Sequence, residues 1–366
     1  MRVFSRFVSL LGLRDEFPVL GALAYLNAGT DGPLPARAVH ASARELEREL
    51  ADGRATAHFE RRSELNTELR AAYARALGAD PADVALSTCT TEGMAQVVAG
   101  LELASGDEIL TSDEEHPGLL GALSAARALR GVDVREVPLA EIANAVGPRT
   151  RLVACSHVGW VSGSLAPAEL SQLDVPVLLD GAQGVGAVPV DVRELGCDAY
   201  SGAGQKWLCG PDSTGMLWVD PALRERLSVT RRGYGNLAEP NDGLDAQLHD
   251  DARRFDTLSQ SAETLACALA AIGVLESAGW AAVHEHACTL AARLAEMLGE
   301  IGREPAPRGA TTLVSFPSPD PLAERALLAE RSVIVRNIPD RPWLRASVGA
   351  WNDEHDLERL VESLPR

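Results

Sequence analysis

Lys206 is the only lysine in this chain; the remaining 33 of its 34 Lys and Arg side chains are arginine. Where arginine supplies positive charge everywhere else, one retained lysine points to a task that a guanidinium cannot perform. A neutral amine can attack an aldehyde and form a Schiff base, whereas the delocalised, permanently charged guanidinium cannot. The residues ahead of it suit such a task. The apolar run Val175–Leu179 reads as a buried strand that delivers the carboxylate of Asp180 at its C-terminal end, and Gln183 follows three residues later. The small-residue stretch Ala199–Lys206 reads as a loop in which backbone can approach a ligand closely.

A second stretch could hold an anion. Asp83–Ser87 reads as a short strand that runs into Thr88-Cys89-Thr90-Thr91-Glu92-Gly93 and then an apolar helix, Met94–Leu101. A strand, a hydroxyl-rich turn and a helix N-terminus bind phosphate without any lysine, because the free N–H groups and the dipole favour negative charge.

The elements that must position these groups follow from the pattern. Gly106–Ser112, Val132–Val137 and Arg151–Ser156 read as strands, the last running into His157-Val158-Gly159-Trp160-Val161-Ser162-Gly163. Strands and helices alternating from about 84 to 220 predict a mainly parallel sheet with the site at the C-terminal edges of its strands. No GxGxxG opens a helix, which argues against a dinucleotide fold. Residues 15–35 are rich in turn formers, Pro35–Leu77 is helical and charged, with His58 and Arg61 expected in solvent, and Thr230–Asp256 reads as a loop. Two helices over Ser261–Leu298 lead into a smaller C-terminal domain. Met1–Leu20 reads as an amphipathic helix, not a signal peptide.

Composition narrows the function classes. A net charge of −18 and an isoelectric point near 4.9 argue against nucleic acid or an anionic membrane as partner. No apolar run reaches the length of a membrane span. The six cysteines show no CxxC and no metal spacing, and read as reduced thiols in a cytoplasmic protein. His284-Glu285-His286 suggests no metal, because side chains two apart on a helix diverge.

Taken in order, these motifs resemble the class V aminotransferase superfamily: Tyr25-Leu26-Asn27-Ala28-Gly29-Thr30, Glu115-His116, Asp180-x-x-Gln183, and Lys206 in Gly-Gln-Lys-Trp-Leu-Cys-Gly-Pro. The resemblance spans most of the chain, from about Tyr25 onwards, and implies an α/β protein of pyridoxal 5′-phosphate (PLP) fold type I. A large domain with a mainly parallel sheet, residues 35–258, would be followed by a smaller α+β domain, 259–366, with 1–34 packed on the small domain. It implies that Lys206 holds PLP covalently, Asp180 pairs with the pyridine nitrogen, Gln183 donates to the phenolate oxygen and His116 stacks on the ring. Thr90 and Thr91 would hold the phosphate, with Ser201 and Gln205 nearby. Arg253-Arg254-Phe255-Asp256-Thr257 resembles a family segment whose Thr reaches the neighbouring subunit's phosphate, so Thr257 implies a homodimer, although the family's Gly is missing. Arg345, in Trp343–Val348, would clamp the α-carboxylate of a small amino-acid substrate, beside Asn27. At the position where cysteine desulfurases commonly carry Asn, this chain has Gly159 or, in the preferred register, Trp160. The hydroxyl often found three residues before the lysine is replaced by Ala203.

The expected reaction starts with removal of the Cα proton by Lys206. Cysteine desulfurases take the sulfur on a C-terminal loop cysteine; this chain has no cysteine after Cys288. The leading expectation is therefore β-elimination by a C–S lyase, with transamination and epimerisation as alternatives and a non-catalytic PLP-fold binding protein as a third. Side-chain selectivity is expected from loops near residues 29–35, 231–256 and 336–342.

Overall fold

A computed structural model describes residues 10–257 and 259–365. The first nine residues of the helix expected over Met1–Leu20 lie outside the described residues; Leu10–Leu13 (α1) is a single helical turn followed by 3-10 turns, so no continuous helix runs to Leu20. In chain order follow Ala24–Tyr25 (β1), Ala36–Asp52 (α2), Thr56–Leu77 (α3), Val84–Ser87 (β2), Thr90–Gly100 (α4), Glu108–Ser112 (β3), Pro117–Arg130 (α5), Asp133–Val137 (β4), Thr150–Ser156 (β5), Val177–Asp180 (β6), Ala199–Ala203 (β7), Gly215–Val219 (β8) and Pro221–Arg224 (α6). The C-terminal third holds Ala262–Ala278 (α7), Trp280–Glu300 (α8), Leu313–Pro317 (β9), Pro321–Glu330 (α9), Val333–Ile334 (β10), Arg336–Asn337 (β11), Trp343–Ser347 (β12) and Glu354–Ser363 (α10).

The large sheet runs β2-β8-β7-β6-β5-β3-β4. Pairs from β7 across to β4 are parallel, and β8 is antiparallel to both its neighbours. The central strands are buried apart from Arg151, which is why they read as near-continuous apolar runs. Successive side chains serve opposite faces. Leu110, Val153 and Leu179 pack with Leu65, Leu69 and Ile272 of α3 and α7, whereas Ile109, Leu152 and Leu178 pack with Val97, Leu119 and Leu123 of α4 and α5. The result is a sheet covered by helices on both faces.

Two sequence expectations change. Ala199–Lys206 is not a loop throughout: its first five residues form β7, between β6 and β8. The small residues there serve strand packing, since a Cβ on Gly202 would stand 2.4 Å from Met216 Sδ. His58 and Arg61 are not out in solvent. They fold back across the α2–α3 hairpin onto Glu49 and Glu45, at 3.4 and 3.1 Å.

In the smaller domain β11-β12-β9 form an antiparallel sheet, and β1 pairs in parallel with β10. Leu26 thereby joins Phe316, Leu344 and Leu360 in one core. Helix α7 packs on α2 and α3 and shares the large sheet's core; the chain bends by 82° at Gly279, whose φ is +88°, before α8 leads into the small domain. Among the described residues no single helix is long and apolar enough to cross a membrane.

Candidate active site

The C-terminal ends of β3, β5, β6 and β7 converge on Lys206, which lies in the turn after β7. Among the described residues its amine has neither hydrogen bond nor ion pair. Burial holds it down to about 8, against the pull of Asp180 in the other direction, with Arg345 and Arg336 lowering it further. Asp180 is the last residue of β6 and is 4% exposed. Burial pushes its carboxyl upward, opposed by Lys206 and by the Ala182 N–H, which donates to Oδ1 at 2.9 Å. The amide of Gln183 is oriented at both ends: Nε2 donates to the Gly29 carbonyl at 2.8 Å and Oε1 accepts from Trp207 Nε1 at 3.0 Å. The opening segment closes over this floor. Gly32 N–H donates to the Gln205 carbonyl at 2.7 Å, and a Cβ on Gly32 would sit 2.0 Å from the Lys206 carbonyl oxygen, so only glycine fits.

His116 is the N-cap of α5 and accepts the Gly118 N–H on Nδ1 at 2.9 Å, which places its proton on Nε2. Burial lowers its pKa to about 4, and Lys206, Arg336 and Arg345 push the same way, so the ring is neutral at pH 7. Trp160 stands edge-on to it, with centroids 5.1 Å apart and planes at 80°. The Trp160 loop is held from two sides. Glu114 accepts the Val161 and Ser162 N–H groups at 3.1 and 2.8 Å, and its carbonyl accepts from Trp160 N–H at 3.0 Å. Behind them Glu115 accepts from Ser112 and Ser156, and burial pushes its carboxyl up to about 7.

The turn into α4 has no side-chain cap at Cys89, so its first N–H groups are open to an anion. Thr90 Oγ1 is buried without a partner, and Thr91 Oγ1 is close enough to Gly118 that a Cβ there would lie at 2.4 Å, which draws the turn against His116. Gln205 Oε1 is likewise buried and unpartnered. Ser201 stands elsewhere than expected: its hydroxyl donates to the Thr90 carbonyl at 2.9 Å, supporting the turn from behind and having no second proton for a phosphate. Thr257 borders a cleft of about 540 Å³ with Thr88, Thr91, Glu92 and Arg231, its N–H bonded to the Leu86 carbonyl at 2.7 Å. Asp256 fixes that segment, pairing with Arg70 through two bonds of 2.9 and 2.7 Å and accepting the Leu86 N–H.

From the small domain comes Arg345, which is fully buried. Its Nη1 donates to the Trp160 carbonyl at 2.6 Å and its Nη2 to that of Gly29 at 3.2 Å, while Nε has no partner. No carboxylate among the described residues pairs with it, and burial pulls its pKa down to about 9. Arg336 is its register partner across β11 and β12, half-buried, donating to Thr30 Oγ1 at 3.2 Å. Both guanidinium carbons face the Trp160 ring, at 5.8 Å for Arg336 and 6.0 Å for Arg345. Asn27 uses its Oδ1 to accept from Thr30 at 2.8 Å and so shapes this wall.

The donor set fits PLP: an unpaired, partly buried amine, a buried carboxylate, an uncapped helix start with orphaned Thr90 Oγ1, and a neutral ring beside them. The structure thus gathers Lys206, Asp180, Gln183, His116, Thr90, Gln205, Trp160 and Arg345. Sequence reasoning missed Arg336, Glu114, Glu115, Trp207 and the Arg70–Asp256 pair. Only the expectation of a selectivity loop at 336–342 pointed near Arg336. The His284-Glu285-His286 side chains separate, His284 stacking on Trp280 and His286 meeting the Asn352 carbonyl.

Comparison with known proteins accounts for the assembly. The chain is 28% identical to isopenicillin N epimerase of Streptomyces clavuligerus, over 93% of each chain. It is 32% identical to a probable cysteine desulfurase of Pseudomonas aeruginosa, over 78% of each. Among solved structures it superposes on the cystine C–S lyase C-DES, in complex with its reaction product cysteine persulfide, with a TM-score of 0.88 and 28% identity over 94% of this chain and 98% of that one. Residues 24–360 match the model of the aminotransferase class-V family, and the chain belongs to that family of PLP-dependent enzymes.

Proposed function

We propose that this enzyme is a C–S lyase for cystine or a close disulfide amino acid, working as a cytoplasmic homodimer. The reaction is a β-elimination in which cystine and one water give pyruvate, ammonia and cysteine persulfide. The observation that carries this reading is the pair Arg336 and Arg345. Like charges directly opposite each other on antiparallel strands repel, and these two share one face beside Trp160 with no carboxylate among the described residues paired to either. A substrate with two carboxylates relieves both, and cystine carries two. The structural likeness to a cystine C–S lyase supports the same reading.

The residues divide the work as follows. Bound PLP supplies the electron sink that makes the Cα proton removable. Lys206, whose amine is substantially neutral near pH 8, takes that proton. Asp180 keeps a positive charge favoured at the pyridine position, and the Thr90–Thr91 turn holds the phosphate. Arg345 fixes the α-carboxylate, using the Nε that lacks a partner. Trp160 and His116 wall the cleft and exclude water. Cys209, the thiol nearest Lys206 in sequence, is fully buried and burial raises its pKa, so it is no sulfur acceptor. Thr257 belongs to the partner-facing side of the dimer.

The test mixes PLP-loaded enzyme with cystine, cysteine or alanine and no keto acid. Pyruvate, ammonia and persulfide in equal amounts from cystine, with the cofactor's absorbance restored, support the reading. Stoichiometric pyridoxamine phosphate would make it an aminotransferase, and a D-amino acid product an epimerase; either overturns the lyase.

A further inference from the structure

The cleft holds one more charged group with no partner. Asp31 is exposed at the mouth, directly after Thr30, whose hydroxyl accepts from Arg336. Its backbone is fixed on every side. The Asp31 N–H donates to the Asn27 carbonyl at 3.2 Å, Tyr25 Oη donates to the Asp31 carbonyl at 2.8 Å, and Gly32 is locked to Gln205 at 2.7 Å. Its carboxylate makes no hydrogen bond or ion pair among the described residues. The charges that act on it are Asp212, Lys206 and Arg336: burial raises its pKa, Asp212 adds to that, and the two cations oppose it. Independently, the buried, unpartnered Nε of Arg345 shows that this cleft is built for an anionic ligand further in.

We propose that Asp31 is a specificity residue that binds the ammonium of the outer half of a disulfide amino acid, while Arg336 binds the outer carboxylate. The inference deepens the lyase reading and rests on it for the substrate. An inner amino acid held by Arg345 and Lys206 leaves the outer half at the mouth, where the Asp31 carboxylate and the Arg336 guanidinium, which pairs with no carboxylate among the described residues, both stand. That is the charge pattern of a second amino-acid group. A substrate with an outer carboxylate alone would satisfy Arg336 and leave Asp31 repelling it.

The test compares cystine with the mixed disulfide of cysteine and 3-mercaptopropionate, which keeps the outer carboxylate and lacks the ammonium. The wild-type enzyme is expected to prefer cystine in kcat/KM. Asp31→Asn is expected to cut that preference about 5- to 10-fold, as for a partly exposed ion pair, chiefly through the KM for cystine. Cofactor absorbance and thermal melting verify that the variant is loaded and folded. A preference unchanged in Asp31→Asn overturns the assignment, and so does an equal loss on both compounds. If neither compound yields pyruvate with the wild-type enzyme, the lyase reading falls. The dissociation constants of the two compounds for wild type and Asp31→Asn, read from the cofactor's absorbance, then decide whether Asp31 selects the ammonium.

Discussion

Replacing Arg345 by methionine separates a binding residue from a structural strut. The guanidinium is fully buried, and burial pulls its pKa down to about 9, so its charged form is disfavoured by something on the order of 5 kcal/mol. Its hydrogen bonds to the Trp160 and Gly29 carbonyls, at 2.6 and 3.2 Å, each return roughly 1.5–3 kcal/mol. The two contributions nearly cancel, so an apolar side chain of similar length should leave the substrate-free enzyme's melting temperature within about 5 °C of wild type. Catalysis should respond very differently. Losing a bidentate, desolvated clamp on the α-carboxylate costs about 4 kcal/mol, or roughly a thousandfold in kcat/KM. The assay pairs thermal unfolding of PLP-loaded enzyme with steady-state kinetics on cystine. A drop of more than 10 °C would mean the residue is a strut between the domains. A kcat/KM within threefold of wild type would mean it does not meet the substrate. Either result refutes the reasoning.

Two more outcomes follow from the same geometry. Uptake of PLP by cofactor-free protein needs the neutral amine of Lys206. Burial disfavours the charged form, so the uptake rate should rise with pH to a half-maximum near 8, and Arg345→Met should move that midpoint up by removing a neighbouring cation; a midpoint at the ordinary lysine value near 10.4 would show a solvated amine. Asp256→Ala strands the buried guanidinium of Arg70, which is 8% exposed, and should cost about 3–5 kcal/mol, seen as a melting drop of roughly 5–10 °C; a shift under 2 °C would refute the pairing's structural weight.

What the sequence reveals is what is local. Asp180 and Gln183 are legible because a buried strand ends where its apolar run ends, and Lys206 because it is unique. The α4 turn is legible because strand, hydroxyls and helix are contiguous. Arg336 is not, because it meets Arg345 only through the register of two short antiparallel strands. Its own strand has just two residues, too few for any alternation to show. Ala199–Ala203 reads as a loop because small residues suit both close ligand approach and close strand packing, and the choice is made by Met216 and Val185, which lie elsewhere in the chain. Ser201 shows the same limit. A hydroxyl near a phosphate turn is expected to face it, yet the direction of the side chain depends on β7 lying behind α4.

The arrangement of satisfied and unsatisfied groups is itself an argument for the site. Away from the cleft, three ion pairs bury at least one of their charges and satisfy it: Arg70 with Asp256 at 2.7 Å, Arg303 with Glu324 at 2.7 Å, and Arg14 with Asp356 at 2.7 Å. Within the cleft the cations stand differently. Among the described residues Lys206 and Arg345 have no carboxylate, and Thr90 Oγ1, Gln205 Oε1 and Arg345 Nε have no hydrogen-bond partner, as is also true of Trp218 Nε1 and Trp280 Nε1 elsewhere. Leaving such groups buried and unmet costs about 1–3 kcal/mol each until a ligand meets them. The missing partners at three of these places are an anionic acceptor at the α4 turn, an anionic acceptor at Arg345, and a group that reacts with an amine at Lys206; Gln205 Oε1, itself an acceptor, lacks a donor. A phosphate and an aldehyde on one aromatic ring meet the first and last, and an amino-acid carboxylate meets the second. The unpaired groups thus complement the family's cofactor, and the proposed substrate carboxylate would complement Arg345.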